Sequence, residues 1–223
     1  MATTFQPFGL KPVYHPSGLD RAVPFVGTNT FTTGTTYTAP YSLSSGQAFY
    51  QYQPVSLTAS GQLTIAATSA TGGGAGTVYG VFDGVEFTDS QGRRSVAKWA
   101  SKLTLDASTE IVFWIFADPA LVYEAQVNGS ASTASIGRQY DFTSATGFTT
   151  ADGQSIGNGG AGFSKTALAA TPVATTVQGQ VRVVGLGREV AFPAGQTNAW
   201  GDAFTIVQVQ IANNTFVAPK GSI

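Results

Sequence analysis

Two stretches near the C-terminal end limit the fold more than anything else in the chain. In "VQGQVRVVGL", Val181 and Val183 alternate with Gln180 and Arg182. In "DAFTIVQVQIANN", Thr205, Val207, Val209 and Ile211 fall on one face, and Gln208 and Gln210 on the other. A period of two residues belongs to a strand with one face buried. From residue 25 onward, runs rich in Thr, Val, Tyr and Phe recur about every 8–12 residues, broken by Gly, Asn, Asp and Ser. No stretch sustains a helical period. "SKTALAAT" at 164–171 fits a short helix or an irregular strand equally. The fold class expected is all-β: an antiparallel β-barrel or a jelly-roll-like sandwich.

Individual elements follow from the same grammar. A strand is expected around Phe49 to Leu57, a turn at Ala59–Gly61, and a strand from Gln62 to Ala67. "TVYGVFDGVEFT" reads as a long strand ending at Thr88, "DSQG" as a four-residue hairpin loop, and "RRSVAKW" as the returning strand. "TEIVFWIF" is apolar enough to be covered on both faces. Pro119 bends the chain, because it cannot donate to a ladder, and Asn128-Gly129 is a hairpin signal. The Gly-rich segments 71–76 and 143–162 read as a flexible connection and a long loop. Four prolines, at 7, 12, 16 and 24, interrupt the first two dozen residues. Residues 1–24 are therefore read as an extended N-terminal arm, and 25–223 as a single β domain. Phe5, Phe8, Leu10, Val13 and Tyr14 give the arm an aromatic and apolar character that suits docking, on its own domain or on a neighbour.

Composition narrows the function. Only 10% of residues are charged and the net charge is −1, against about 25% charged residues in an average soluble domain. Nucleic acid is not expected as a partner, since that calls for clustered Lys and Arg. So weakly charged a surface protects a free monomer poorly against association. Cysteine is absent, which removes disulfides, thiolate catalysis and Cys-ligated zinc. No membrane partner is expected: the longest apolar run, "IVFWIFA" at 111–117, is far too short to span a bilayer. "MATTFQPFGLKPVYHPSG" lacks the layout of a signal peptide, so the chain reads as made and folded in a cytoplasm.

A search for chemistry returns little. A hydrolytic triad needs a histidine held between a carboxylate and a nucleophile. The one histidine, His15, lies between prolines and reads as a surface or packing side chain. Asp83, Glu86 and Asp89 are close in sequence, but strand residues three apart diverge, and Asp83 and Asp89 would stand roughly 20 Å apart. "GGGAG" lacks the Lys-Ser/Thr of a phosphate loop, and "GLG" lacks the rest of a dinucleotide fingerprint. No catalytic, cofactor or metal residue is assigned. The residues chosen as candidate partner contacts are Phe5, Phe8, Leu10 and Tyr14 of the arm, and Arg93, Arg94, Lys98 and Trp99 of the hairpin. Trp and Arg are frequent interface anchors, and Arg pairs bidentately with carboxylates.

Several motifs carry a resemblance. The order is a "GLKPV" arm, then Gly46, Phe49, Pro54 and Val55, then "GVFDGVEFTD" with its basic hairpin, then Asp118, Pro119, Val122, Tyr123, Glu124 and Gln126. This resembles the small β-rich proteins that decorate or cement the capsids of tailed bacteriophages. The chain departs from that pattern in Thr/Gly-rich inserts near 28–40 and 68–77. The resemblance implies a virion protein on the outer surface of the capsid, made in the host bacterial cytoplasm, with no enzymatic task and no cofactor. It implies a homotrimer that clamps neighbouring subunits of the major capsid protein. The rival expectation is a tail or fibre module of receptor-binding or adhesin type.

Overall fold

The computed structural model describes residues 5, 7–18, 22–28, 30–32, 36–68, 76–144, 164–188, 190–191 and 196–216. The expected connection over 71–76 and the loop over 143–162 lie outside them, save residues 76, 143 and 144. Nineteen strands are present in the described residues. They are β1 (Lys11–Tyr14), β2 (Val23–Thr28), β3 (Thr30–Thr32), β4 (Thr36–Thr38), β5 (Ala48–Tyr50), β6 (Gln53–Leu57) and β7 (Leu63–Ile65). There follow β8 (Gly80–Thr88), β9 (Arg94–Ala97), β10 (Trp99–Ser101), β11 (Glu110–Phe116) and β12 (Val122–Gln126). The remainder are β13 (Gln139–Tyr140), β14 (Phe142–Ser144), β15 (Thr166–Leu168), β16 (Val181–Leu186), β17 (Val190–Ala191), β18 (Gln196–Thr197) and β19 (Ile206–Ile211).

Two sheets form the body of an all-β sandwich. One has five strands in the order β1-β12-β19-β16-β13; the other runs β2-β11-β8-β6-β7, with β9 also on β8. All strand pairs named in either sheet are antiparallel. Neither sheet closes on itself among the described residues, so of the two architectures expected the open sandwich is the one formed. β8 is nine residues long and serves two partners along one side. Its first half pairs with β6, and its second half pairs with β9.

The alternation read from the sequence places the core. Val181, Val183, Val207, Val209 and Ile211 turn inward with Tyr123 and Ala125, and meet Val81 and Phe116 from the six-stranded sheet. Gln208 and Gln210 are half-buried on the other face, as their spacing requires. A second cluster lies between the six-stranded sheet and the layer made by β5, β10 and one short helix, α1 (Lys102–Asp106). Phe113 is its hub: the rings of Phe25, Tyr41, Phe49 and Phe82 lie 6.4, 6.1, 5.3 and 6.3 Å from it. Tyr123 is buried too, and its hydroxyl donates to the Phe116 carbonyl at 3.2 Å.

Several local expectations are corrected. The strand expected from Phe49 to Leu57 is split, because Tyr52 adopts φ 64° and the chain turns there. "TEIVFWIF" is not covered on both faces: Ile111, Phe113 and Ile115 are fully buried, while Val112 and Trp114 are half-buried. Asn128-Gly129 makes no hairpin. Its flanking strands go to different neighbours, β12 to β19 and β13 to β16, because the backbone there bonds to Leu168 and Thr205 instead. "SKTALAAT" resolves as strand β15, paired with β14. The helix that does form, α1, begins where Ser101 Oγ accepts from the Thr104 amide at 3.1 Å, an N-cap bond. No helix among the described residues is long and apolar enough to cross a membrane.

The N-terminal segment is partly built into the body. Gly9 has φ +79°, and a Cβ there would stand 2.2 Å from the Tyr52 carbonyl oxygen. Glycine lets the chain pass close enough for the Leu10 amide to donate to that oxygen at 2.8 Å. Leu10 then enters the core at 1% exposure, and Lys11–Tyr14 become the edge strand on β12. Prolines 12 and 24 both sit on edge strands, where a missing donor is tolerated.

Candidate functional site

The β8–β9 hairpin is built by its own side chains. Asp89 Oδ1 accepts from the amides of Gln91 and Arg93, each at 2.9 Å, and closes the loop. Gly92, at φ +78°, makes the return. The three carboxylates then go to three different bases. Arg93 Nε donates to Asp89 Oδ2 at 3.0 Å, Arg94 Nε donates to Glu86 Oε1, and Lys98 Nζ donates to Asp83 Oδ1 at 3.0 Å. Gln51 Nε2 also donates to Asp83, at 3.0 Å. The divergence expected of Asp83, Glu86 and Asp89 is what distributes them in this way.

The contacts to Glu86 and Asp89 favour their ionised forms. The Arg94 guanidinium beside Glu86 lowers its carboxyl below the usual range. Asp89 is lowered first by the Arg93 amide, then by Gln91 and the Arg93 side chain. Asp118 is lowered by the Ala120 amide and by His15. A carboxyl lowered by folding stabilises the folded state above its unfolded value, and that contribution disappears as pH falls through the folded value. The melting temperature is therefore expected to be flat from neutrality to about pH 5 and to decline below about pH 4. Thermal melts across pH 2.5–7 check this; a flat profile down to the acid end would show that the pairs add nothing.

The hairpin is thus electrically matched, three acids against three bases, and besides its polar tip, Ser90 and Gln91, it exposes the apolar Val96. The row Val26–Val112–Glu86–Val96 crosses the six-stranded sheet in register. Val26 is 70% exposed and Val96 74%. Trp99 and Leu103 follow the hairpin directly, Leu103 at 80% exposure. Val26 and Val96, left in water in one row, are of the kind that marks an interaction surface, while Trp99 and Leu103 belong to the layer that packs on the sheet's other face.

The four arm candidates separate. Leu10, expected to meet a partner, belongs to the chain's own core, because Gly9 brings it under Tyr52. Phe5 packs on Phe204 with ring centres 5.1 Å apart, and Phe8 is half-buried. Tyr14 stays 59% exposed on the five-stranded sheet. It is therefore on a different sheet from Arg93, Arg94 and Lys98, so arm and hairpin do not form one site. Trp99 lies on β10, beside Tyr50 of β5.

His15 has a definite place. Its Nδ1 accepts from the Ser17 amide at 3.1 Å and lies 2.6 Å from Ser17 Oγ; Nε2 lies 2.9 Å from Asp118 Oδ2. An amide can only donate, so Nδ1 is the acceptor and Nε2 carries the hydrogen toward Asp118. The side chain pins the segment after β1 to the corner where the chain crosses between sheets. The Ser17 bonds close a local turn, as serine does two residues from a polar partner.

Tyr14 forms part of a second feature, which no sequence signal indicated. An open groove of about 820 Å³ crosses the outer face of the five-stranded sheet. Lys11, Glu124 and Gln208 stand in one register row with Gly185: Lys11 opposite Glu124, Glu124 opposite Gln208, Gln208 opposite Gly185. Two irregularities of register flank the row, one between Pro12 and Tyr14 and one between Val183 and Gly185. Each leaves one valine, Val13 and Val184, without a partner across the ladder, and both line the groove with Val122, Tyr14 and Arg188. Glu124 is only 3% exposed, and its Oε1 accepts from the Arg188 amide at 2.7 Å. No group of three or more His, Asp or Glu residues able to hold a metal occurs among the described residues.

Comparison with known proteins adds no relative: no protein-family model, no curated protein and no solved structure matches the chain.

Proposed function

We propose that this protein is a structural component of a tailed-bacteriophage virion. On this reading it decorates the outside of the capsid and binds across neighbouring subunits of the major capsid protein as a homotrimer. It performs no catalysis, and its location is the outer surface of the head. The observation that carries the reading is the hairpin: an ion-paired, locally neutral projection on a sheet face that leaves Val26 and Val96 exposed in one register row. A clamp gains by covering apolar area, about 25 cal/mol per Å² before ordering costs, and repetition about an axis adds avidity. The paired charges at the rim orient the contact and discriminate against wrong partners more than they add affinity.

The test is native mass measurement followed by co-sedimentation with empty heads. A trimer that sediments with heads is expected. Val26→Asp combined with Val96→Asp, both on exposed side chains of the same row, should weaken sedimentation about tenfold or more while the far-ultraviolet spectrum stays unchanged. A lone protomer that ignores heads overturns the proposal, and undiminished binding by the double variant removes the hairpin surface from it.

A further inference from the structure

We infer that Ser17 is a covalent acceptor for acyl groups, activated by His15 and Asp118, and that the donor is an acyl thioester or an activated phenyl ester. The inference stands apart from the capsid reading. It concerns other residues, and a single transfer onto the chain rather than turnover of a substrate.

Three side chains stand in one line. His15 Nδ1 lies 2.6 Å from Ser17 Oγ, and Nε2 lies 2.9 Å from Asp118 Oδ2. Because Nδ1 also accepts from the Ser17 amide, the ring hydrogen is on Nε2 and the Ser17 hydroxyl donates to Nδ1. A nucleophile on a base, and the base on a carboxylate, is the arrangement that activates a serine. No local signal shows it, since Asp118 lies 103 positions from His15.

The line is held in place. Pro16 fixes φ between base and nucleophile. The Gly18 amide donates to the His15 carbonyl at 2.9 Å and closes a turn with Pro16 and Ser17 at its centre. The imidazole side chain is only 8% exposed. Asp118 is oriented by the Ala120 amide, which donates to Oδ1 at 2.8 Å. That amide and His15 lower its carboxyl, so an anion faces the imidazolium that forms when Nδ1 takes a proton. Ser17 itself is exposed, and a Cβ added at Gly18 would meet nothing within 4 Å. A donor therefore reaches Oγ from solvent.

The same turn limits the chemistry. The Ser17 amide is spent on Nδ1 and the Gly18 amide on the His15 carbonyl, so neither is left to stabilise an oxyanion. Amides and alkyl esters, which need that help, are excluded as donors; acyl groups on good leaving groups are not. Oγ attacks the acyl carbonyl carbon while its proton passes to Nδ1. The bond to the leaving sulfur or phenolic oxygen then breaks, and the proton on Nδ1 departs with the thiol or phenol. The product is an alkyl ester on Ser17, and it persists because its hydrolysis needs the same oxyanion stabilisation.

The probe is p-nitrophenyl acetate, added to the full-length protein and followed by nitrophenol release and by mass spectrometry of proteolytic peptides. An acetyl group on Ser17 is expected, formed faster than on the exposed Ser90 of the same chain. Ser17→Ala should remove it. His15→Asn, whose side-chain oxygen still accepts from the Ser17 amide, should slow labelling about 100-fold, and Asp118→Asn about tenfold. Acetyl groups confined to amines, or no faster at Ser17 than at Ser90, overturn the inference. So does labelling that His15→Asn leaves unchanged. The comparison of Ser17 with Ser90 needs no variant, so it decides the matter even where His15→Asn lowers the melting temperature.

Discussion

Phe113→Ala is expected to lower the stability of the protein by about 3–5 kcal/mol, which for a chain of this size shifts the melting temperature by roughly 10 °C. Phe113 is fully buried at the middle of the second core cluster, and four aromatic rings surround it at 5.3–6.4 Å. Removing it opens a cavity that no neighbour fills without leaving its own rotamer, because the strands on both sides, β2 and β8, are fixed in register. Edge-to-face contacts with Tyr41, Phe49 and Phe82 disappear in the same step. Equilibrium unfolding in urea measures the change directly. A loss below about 1 kcal/mol would mean that the ring cluster repacks freely and is not the hub described.

The second large effect concerns the N-terminal segment. Leu10→Ala is expected to cost about 2–5 kcal/mol, and Gly9→Ala about 3 kcal/mol or more, since it adds a left-handed backbone penalty to a direct clash. The clash is with backbone, the Tyr52 carbonyl oxygen, so no side-chain rotation relieves it. Deleting residues 1–14 should therefore destabilise the sandwich itself, by removing both Leu10 and the edge strand β1. An arm that merely reaches toward a neighbour would come off without effect on the urea midpoint. The two possibilities are separated by one denaturation curve, and a truncated protein as stable as the full chain would contradict the structure.

That contrast shows how far the residues speak for themselves. Proline spacing at 7, 12, 16 and 24 suggests an arm, and nothing local reveals that Gly9 passes under Tyr52, more than forty positions later. The same limit explains Asn128-Gly129, whose local preference for a hairpin is overridden by backbone bonds to Leu168 and Thr205. In the hairpin the legible part was larger. The loop from Asp89 to Gly92 and the basic return strand follow from short-range turn chemistry. The pairing of Lys98 with Asp83 does not, because it depends on where the chain bends after β9.

What the amino-acid order decides alone is the period-two alternation: Val207, Val209 and Ile211 inward, Gln208 and Gln210 outward, and with it the all-β class. It decides this because the side-chain period of a strand is a property of neighbouring residues, independent of what lies across the ladder. The tertiary structure alone decides which strands become neighbours, and therefore that Lys11, Glu124, Gln208 and Gly185 share a row. Those four residues span more than 170 positions of chain, and register between distant strands is fixed by packing of the whole sheet, not by any signal carried in one of them.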